Sequence, residues 1–323
     1  MTPPAMRAAV LTGAQRLQVV SLALPEPGPH DIRVRLEGCG VCASNLPVWE
    51  GRPWFTYPLA PGAPGHEGWG RIDALGHDVR GLALGQRVAM LSYHAYATHD
   101  TVPAAAVVPL PASLEGMPFP GEALGCAMNV LRRSAIQPGQ TVAIIGIGFL
   151  GALLTALATQ AGARVIAIAR RTFALEMARQ YGATTTLRLD DARQVVAHVH
   201  ALTGGAGCER VIEAVGQQEP LDLAGELTCI GGRLIIAGYH QDGPRQVNIQ
   251  LWNWRGLEVT NAHERDPAVI VAGMRTAVDV VARGTLDPMP LYTHKATLEQ
   301  LPTVFTAMQQ RPDGFLKAWV TYE

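Results

Sequence analysis

Apolar positions change their period part-way along the chain. Over residues 7–11, 32–37, 68–75, 87–91 and 107–110 they come in short alternating or β-branched runs. Gly and Pro close each run, as in Pro25-Glu26-Pro27-Gly28-Pro29 and Pro61-Gly62-Ala63-Pro64-Gly65. Alternation over so few residues is the period of a half-buried strand, so the first 111 residues predict an irregular, mainly antiparallel β-domain. Residues 122–134 then read as a helix. Beyond it, strands at 141–145, 164–169, 184–189, 209–214, 232–238 and 257–261 alternate with helices at 172–181, 192–202 and 221–227. Six strands with helical crossovers predict a doubly wound parallel sheet. Helices at 267–283 and 298–309 and a strand at 315–322 close the chain, with no nucleotide-binding part left to play.

The stretch from Thr141 to Arg171 carries the sharpest local signal. Thr141-Val142-Ala143-Ile144-Ile145 is apolar throughout, as a buried parallel strand should be. Gly146-Ile147-Gly148-Phe149-Leu150-Gly151 follows, opening an Ala/Leu-rich helix, and a second apolar strand returns. In this context G-x-G-x-x-G is a dinucleotide fingerprint. Gly146 permits the tight turn, Gly148 admits the pyrophosphate to the backbone, and Gly151 lets helix lie close to strand. The diphosphate would rest on the helix N-terminus at Phe149 and Leu150, where free N–H groups and the dipole favour an anion. Where an NAD site carries Asp or Glu, the second strand ends Ala169-Arg170-Arg171. Two guanidinium groups suit a ribose 2′-phosphate, so NADP(H) is expected. The alternative is two solvated arginines on a turn.

Composition narrows the partners to small molecules. Net charge is −1 and charged residues are 16% with no basic run, which argues against nucleic acid. Five scattered cysteines make no disulfide framework and fit a reducing cytoplasm. The N-terminus lacks the apolar core of a signal peptide. The longest apolar stretch is the glycine-punctuated strand–helix itself, which fits a buried element better than a membrane span.

Reactive side chains gather in two glycine-flanked stretches, Gly40-Val41-Cys42-Ala43-Ser44-Asn45 and Gly65-His66-Glu67-Gly68. A thiolate, an imidazole and a carboxylate suit tetrahedral zinc, although a lone cysteine is more often a small hydrophobe. With Gly85-Gln86-Arg87-Val88, Glu122-Ala123-Leu124, the fingerprint, Gly231-Gly232-Arg233 and Asp313-Gly314-Phe315-Leu316-Lys317, these stretches occur in a specific order. The chain thereby resembles the zinc-dependent alcohol dehydrogenase-like members of the medium-chain dehydrogenase/reductase superfamily.

That resemblance implies a Rossmann domain at 122–261 and a catalytic GroES-like β-domain made of 1–121 and 262–323. It implies one catalytic zinc on Cys42 and His66, with Glu67 a ligand or in exchange with water. Glu122 stands at the third ligand position and Cys126 is its rival; the resemblance puts Cys126 beside the nicotinamide. Ser44 would pass the substrate's proton, unless it is a turn serine bonding its own backbone. Ala214 and Asn261 would touch the nicotinamide half of the cofactor, with His263 nearby. A homodimer or homotetramer is also implied.

Several positions depart from the family pattern. Asn45 replaces an aspartate that accepts from the ligand histidine, a bond that Asn could still make. Pro47 replaces a relay histidine, and Ala43 a polar residue near the pyrophosphate. Residues 89–96 contain no cysteine, so the lobe that holds a structural zinc is missing. Tyr93 and His94 could line the substrate cleft or lie on the surface. Trp49, Trp54, Phe55 and Tyr57 could wall a pocket or fill the core. Glu213 reads as a structural carboxylate, and Cys39, Cys208 and Cys229 as structural cysteines. The activity expected is hydride transfer between NADP(H) and an alcohol or carbonyl compound. Its rivals are a metal-free quinone or enone reductase and a nonenzymatic NADPH-binding sensor.

Overall fold

Alternating runs bounded by proline and glycine become strands where one face finds a core. The computed structural model describes residues 5–322, so residues 1–4 and 323 of the expected catalytic domain lie outside the described residues. By its contacts the chain divides into two units, Met1–Gly125 with Arg265–Glu323, and Cys126–Glu264.

In the first unit β1 (Ala5–Gly13) and β2 (Arg16–Ala23) form an antiparallel hairpin. A second sheet is built on β3 (Asp31–Val41), the longest strand, which ends where the first ligand stretch begins. The short helix α1 (Leu46–Glu50) follows, with Pro47 in its first turn, where a missing N–H leaves no bond unmade. Strands β4 (Glu67–Leu75), β5 (Arg87–Met90), β6 (His99–Pro103) and β7 (Val107–Pro109) complete this part. β3 pairs antiparallel with both β4 and β6, so His66 enters the fold next to Cys42. Helix α2 (Gly121–Ser134) begins in this unit and runs into the second.

The second unit continues with β8 (Thr141–Ile145), α3 (Phe149–Gln160), β9 (Arg164–Ala169), α4 (Thr172–Gln180) and β10 (Thr185–Arg188). Next come α5 (Ala192–Leu202), β11 (Cys208–Glu213), α6 (Gln218–Leu227), β12 (Thr228–Ile236), α7 (Ile249–Arg255) and β13 (Glu258–Asn261). The six strands form one parallel sheet in the order β10-β9-β8-β11-β12-β13, the doubly wound sheet expected. The winding reverses between β8 and β11, and that switch point is where such sheets bind ligands. β8 is buried at every position, which is why it reads as an unbroken apolar run. Ile145, Ile166, Ile168, Val211 and Leu234 pack with Leu221 and Leu227 of α6, each worth about 1.5–3 kcal/mol on burial.

The fifth strand of this sheet begins earlier than its sequence suggests. Gly231-Gly232 looks like a break, yet β12 runs through it. A register shift opposite residues 208–210 absorbs the pair, with Gly231 at φ 66°.

The chain then returns to the first unit through α8 (Pro267–Ala282), β14 (Tyr292–Thr297), α9 (Leu301–Gln310) and β15 (Lys317–Thr321). The helix expected from 298 begins as a 3-10 turn, Leu298–Gln300, and α9 opens with Pro302 in its first turn. β15 lies antiparallel to β3, Ala318 opposite Val41 and Thr321 opposite Gly38. The last strand therefore runs beside the one that delivers Cys42.

Candidate functional site

Three donor atoms converge in the first unit. Cys42 Sγ, a ring nitrogen of His66 and a carboxylate oxygen of Glu67 all lie within 4.8 Å of one another. Glu122, in the first turn of α2, comes within 4.0 Å of His66 Nε2 through Oε2. Ser44 sits in the 3-10 turn Ala43–Asn45 next to Cys42.

The imidazole is fixed from behind. His66 Nδ1 lies 2.9 Å from the Pro64 carbonyl, which can only accept, so Nδ1 carries hydrogen and Nε2 is the nitrogen left for a ligand's role. Asn45 does not accept from this ring, contrary to the sequence expectation. Its amide donates to the same Pro64 carbonyl at 3.3 Å, while its Oδ1 accepts from the Tyr96 hydroxyl at 2.6 Å. A backbone oxygen thus orients the imidazole, and Asn45 ties the two ligand loops together.

Glu67 is fully buried and faces Lys317, the first residue of β15. Lys317 Nζ donates to Oε1 at 2.7 Å and stands 2.6 Å from Oε2 as an ion pair without hydrogen-bond geometry. Oε2 has no hydrogen-bond donor. A Cβ on Gly40 would lie 1.9 Å from that oxygen, so the glycine before Val41-Cys42 makes room for the carboxylate. Lys317 is the functional residue that sequence reasoning did not single out. Its signal was a lysine set among Phe315, Leu316, Ala318, Trp319 and Val320.

The cluster is short of positive charge. Burial alone would lower the His66 pKa, but the hydrogen bond and charge of Cys42, then Glu122 and Glu67, reverse this and push it up to about 10. Burial raises Glu122 above the ordinary carboxylate range, against the pull of His66. Burial would lower Lys317, yet Glu67 and Cys42 hold it above its usual value. One cysteine sulfur and two carboxylates, one of them with a buried oxygen that lacks a hydrogen-bond donor, around one lysine and one imidazole fit a divalent cation, and sulfur with nitrogen favours zinc. Of the cysteines expected to be structural, Cys39 and Cys208 are buried packing groups, while Cys229 is only partly buried. Burial raises the thiol of Cys39 well above its normal range and that of Cys208 to about 12.

The aromatic residues separate into two groups. Trp49 is core, stacked on Phe305 with ring centroids 5.0 Å apart, and Tyr57 donates to the Val48 carbonyl. Trp54 is exposed, 6.0 Å from Phe55 between centroids. Tyr93 is 61% exposed with its ring 6.4 Å from that of His66, while His94 is exposed as well.

In the second unit the fingerprint forms a backbone cradle. Gly146 has φ 95°, and a Cβ there would lie 2.4 Å from Val215 Cγ2. A Cβ on Gly151 would come 2.0 Å from the Gly146 carbonyl oxygen, so helix and turn meet only through glycine. Gly148 has nothing within 4 Å of its Cβ position and caps α3 without a side chain, ahead of Phe149 and Leu150. This open helix end fits a diphosphate. Arg170 is 62% exposed and 3.0 Å from Glu219 Oε2, and Arg171 caps α4. Ala214 N–H bonds the Ile145 carbonyl. The Asn261 carbonyl accepts from Arg133 and its side chain from the His263 N–H. Glu213 is the buried, hydrogen-bonding carboxylate expected.

Residues 28–112 match the family described as the alcohol dehydrogenase GroES-like domain, and residues 150–279 match the zinc-binding dehydrogenase family. Together the matches span well over half of the chain. The chain belongs to the alcohol dehydrogenase-like medium-chain dehydrogenase/reductases. It is 27% identical to an alcohol dehydrogenase of Cupriavidus necator, over 97% of both chains. It is 25% identical to the L-threonine 3-dehydrogenase of Bacillus subtilis strain 168, over 94% of both. A candidate zinc-binding dehydrogenase of Sinorhizobium meliloti 1021, solved with NADP, is 26% identical and superposes with a TM-score of 0.84 over 98% of this chain and 99% of that one. Among the described residues, no helix is long and apolar enough to cross a membrane.

Proposed function

We propose that this member of the family is a zinc-dependent oxidoreductase that transfers a hydride between NADP(H) and an alcohol or carbonyl compound. The observation that carries the reading is the convergence of the Cys42, His66 and Glu67 donor atoms within 4.8 Å of one another, with Glu122 4.0 Å from His66. The first unit would then carry the chemistry and the second the dinucleotide.

Cys42 and His66 would hold the zinc permanently. Glu122 is the better third ligand, because Lys317 already engages Glu67 and leaves it a reserve carboxylate. When bound, zinc supplies Lewis acidity at the substrate oxygen, the effect that lowers the pKa of water from ~15.7 to about 7. A bound nicotinamide would supply the hydride chemistry. The protein's own groups do the rest. The Pro64 carbonyl and Asn45 keep His66 Nε2 aimed at the cluster. Ser44, two residues beyond Cys42, would take or give the substrate's hydroxyl proton. Pro47 ends that route one turn on, so the proton leaves to solvent by another path.

The fingerprint glycines would receive the diphosphate, and Arg170 with Arg171 the 2′-phosphate. Ala214, just past β11, and Asn261, the last residue of β13, would flank the nicotinamide half. The relatives' alcohol substrates and the NADP of the Sinorhizobium meliloti protein support the same reading. Scattered thiols support a cytoplasmic home. Exposed Ile249, Trp254 and Val259 around the sheet-edge strand β13 support a homo-oligomer.

The test is metal analysis and carbonyl-dependent NADPH oxidation on protein purified without chelator. About one zinc per chain is expected, with Cys42→Ser losing metal and turnover while keeping NADPH binding. Turnover that survives Cys42→Ser would favour a metal-free reductase instead.

A further inference from the structure

One buried carboxylate ties together the loops at the carboxyl ends of β11 and β12, and the turn after β8 packs against the first of them. Glu213, the last residue of β11, has no exposed surface. Its Oε1 accepts from the N–H groups of Val215 at 2.7 Å and Gly216 at 2.8 Å, and its Oε2 lies 3.0 Å from His240 Nε2. Beyond the imidazole, Arg245 Nε donates to His240 Nδ1 at 2.8 Å. The same guanidinium donates to the Gly216 carbonyl at 2.9 Å and pairs with Asp242. Only a lone pair accepts from an arginine N–H. His240 therefore keeps its hydrogen on Nε2 and gives it to Glu213.

Glycines record how closely these loops approach. A Cβ on Gly146 would lie 2.4 Å from the Val215 side chain. One on Gly216, at φ 83°, would lie 2.6 Å from the Tyr239 carbonyl oxygen, and one on Gly238 2.2 Å from Gly216 N. The fingerprint turn thus rests on residues 214–216, and these rest on residues 238–239. The third loop also presents Tyr239, half exposed, stacked on His263 just past β13 with ring centroids 5.2 Å apart.

A dinucleotide on a doubly wound sheet crosses these carboxyl ends at the switch point, here between β8 and β11. With Arg170 and Arg171 at the β9 side, its other half runs over β11 and β12. We infer that His240 and Arg245 are positioning residues for the bound nicotinamide cofactor, acting through Glu213 to hold the three loops and the Tyr239 platform in register. This rests on the dinucleotide reading above. Neither side chain need touch the cofactor. Their work is to spare it the ordering of loops that would otherwise be mobile.

The experiment compares His240→Ala, Arg245→Ala, their double variant and His240→Gln in the metal-loaded 323-residue chain. NADPH affinity is read by fluorescence titration, and KM for NADPH and kcat by turnover. Losing the linked hydrogen bonds should weaken NADPH about tenfold in both Kd and KM, with kcat at saturating cofactor within about twofold of the wild type. The double variant should be no worse than the worse single one, since the pair acts as one chain. His240→Gln, which keeps an N–H for Glu213, should recover most of the affinity. Unchanged Kd and KM in His240→Ala would overturn the inference, as would a fall in thermal midpoint or kcat with affinity intact. A wild-type protein that binds neither NADPH nor NADH would instead bring down the dinucleotide reading on which it rests.

Discussion

In the first unit the charges of the candidate site belong to side chains taken out of water. Glu67 and Lys317 face each other in the interior, and Cys42, His66 and Glu122 stand in front of them. In the second unit the groups that would meet a charged ligand are backbone N–H groups at the start of α3 and arginines on the surface. The first arrangement ties function to stability, because each buried charge depends on its partner. The second separates them, because the partner of an exposed arginine stays in water and loses little when the arginine is removed.

The sharpest way to break this contrast is Lys317→Met. Removing one partner of a buried pair typically costs about 3–5 kcal/mol, and Glu67 would lose its cation while Oε2 already lacks a donor. Chemical denaturation should report a loss of that order. Adding Glu67→Gln should return much of it, since the unpaired charge is then gone. A single-variant loss below about 1 kcal/mol would mean that Glu67 does not depend on Lys317, and that both sites keep function apart from stability.

Arg170→Ala with Arg171→Ala probes the other side. A charge-assisted contact to phosphate is worth about 1.5–3 kcal/mol, so NADPH binding should weaken roughly ten- to a hundredfold while NADH binding holds. Unfolding stability should stay within about 0.5 kcal/mol of the wild type, as for other surface changes. Equal affinity of the unaltered protein for the two cofactors would contradict the role given to these arginines.

The same contrast explains what could be read in advance. β8, the fingerprint and α3 are contiguous, and each glycine's duty is local, so the sequence alone located the cradle. Cys42 and His66 were legible because each sits in a short glycine-flanked stretch. Lys317 was not, since 250 positions separate it from Glu67 and only the pairing of β15 with β3 brings the two strands together. The partner of His66 was misread for a related reason. A histidine N–H, an asparagine amide and a tyrosine hydroxyl compete for acceptors, and the fold gave the Pro64 carbonyl to the first two. His240 and Arg245 went unnoticed because a glycine-rich loop with a histidine and an arginine is ordinary surface until Glu213 is seen beneath it. The run through Gly231-Gly232 shows the limit of turn residues as punctuation when a bulge can absorb them.

The smallest effect is expected at Glu219. Its carboxylate holds Arg170 at 3.0 Å, with both side chains largely in solvent. Exposed pairs of this kind contribute about 0.2–1 kcal/mol, so Glu219→Gln should hardly alter stability. It should alter cofactor preference in a definite direction. A 2′-phosphate must share Arg170 with this carboxylate and also feel its negative charge, whereas a 2′-hydroxyl feels little of either. Relieving that competition should tighten NADPH binding by about two- to fivefold, the equivalent of roughly 0.4–1 kcal/mol, and leave NADH unchanged. Raising the salt concentration should shrink the gain, since screening acts on exposed charges first. Parallel titrations of both cofactors at low and high salt measure all of this together. Weaker NADPH binding in Glu219→Gln would mean that the carboxylate orients Arg170 for the phosphate instead of competing for it.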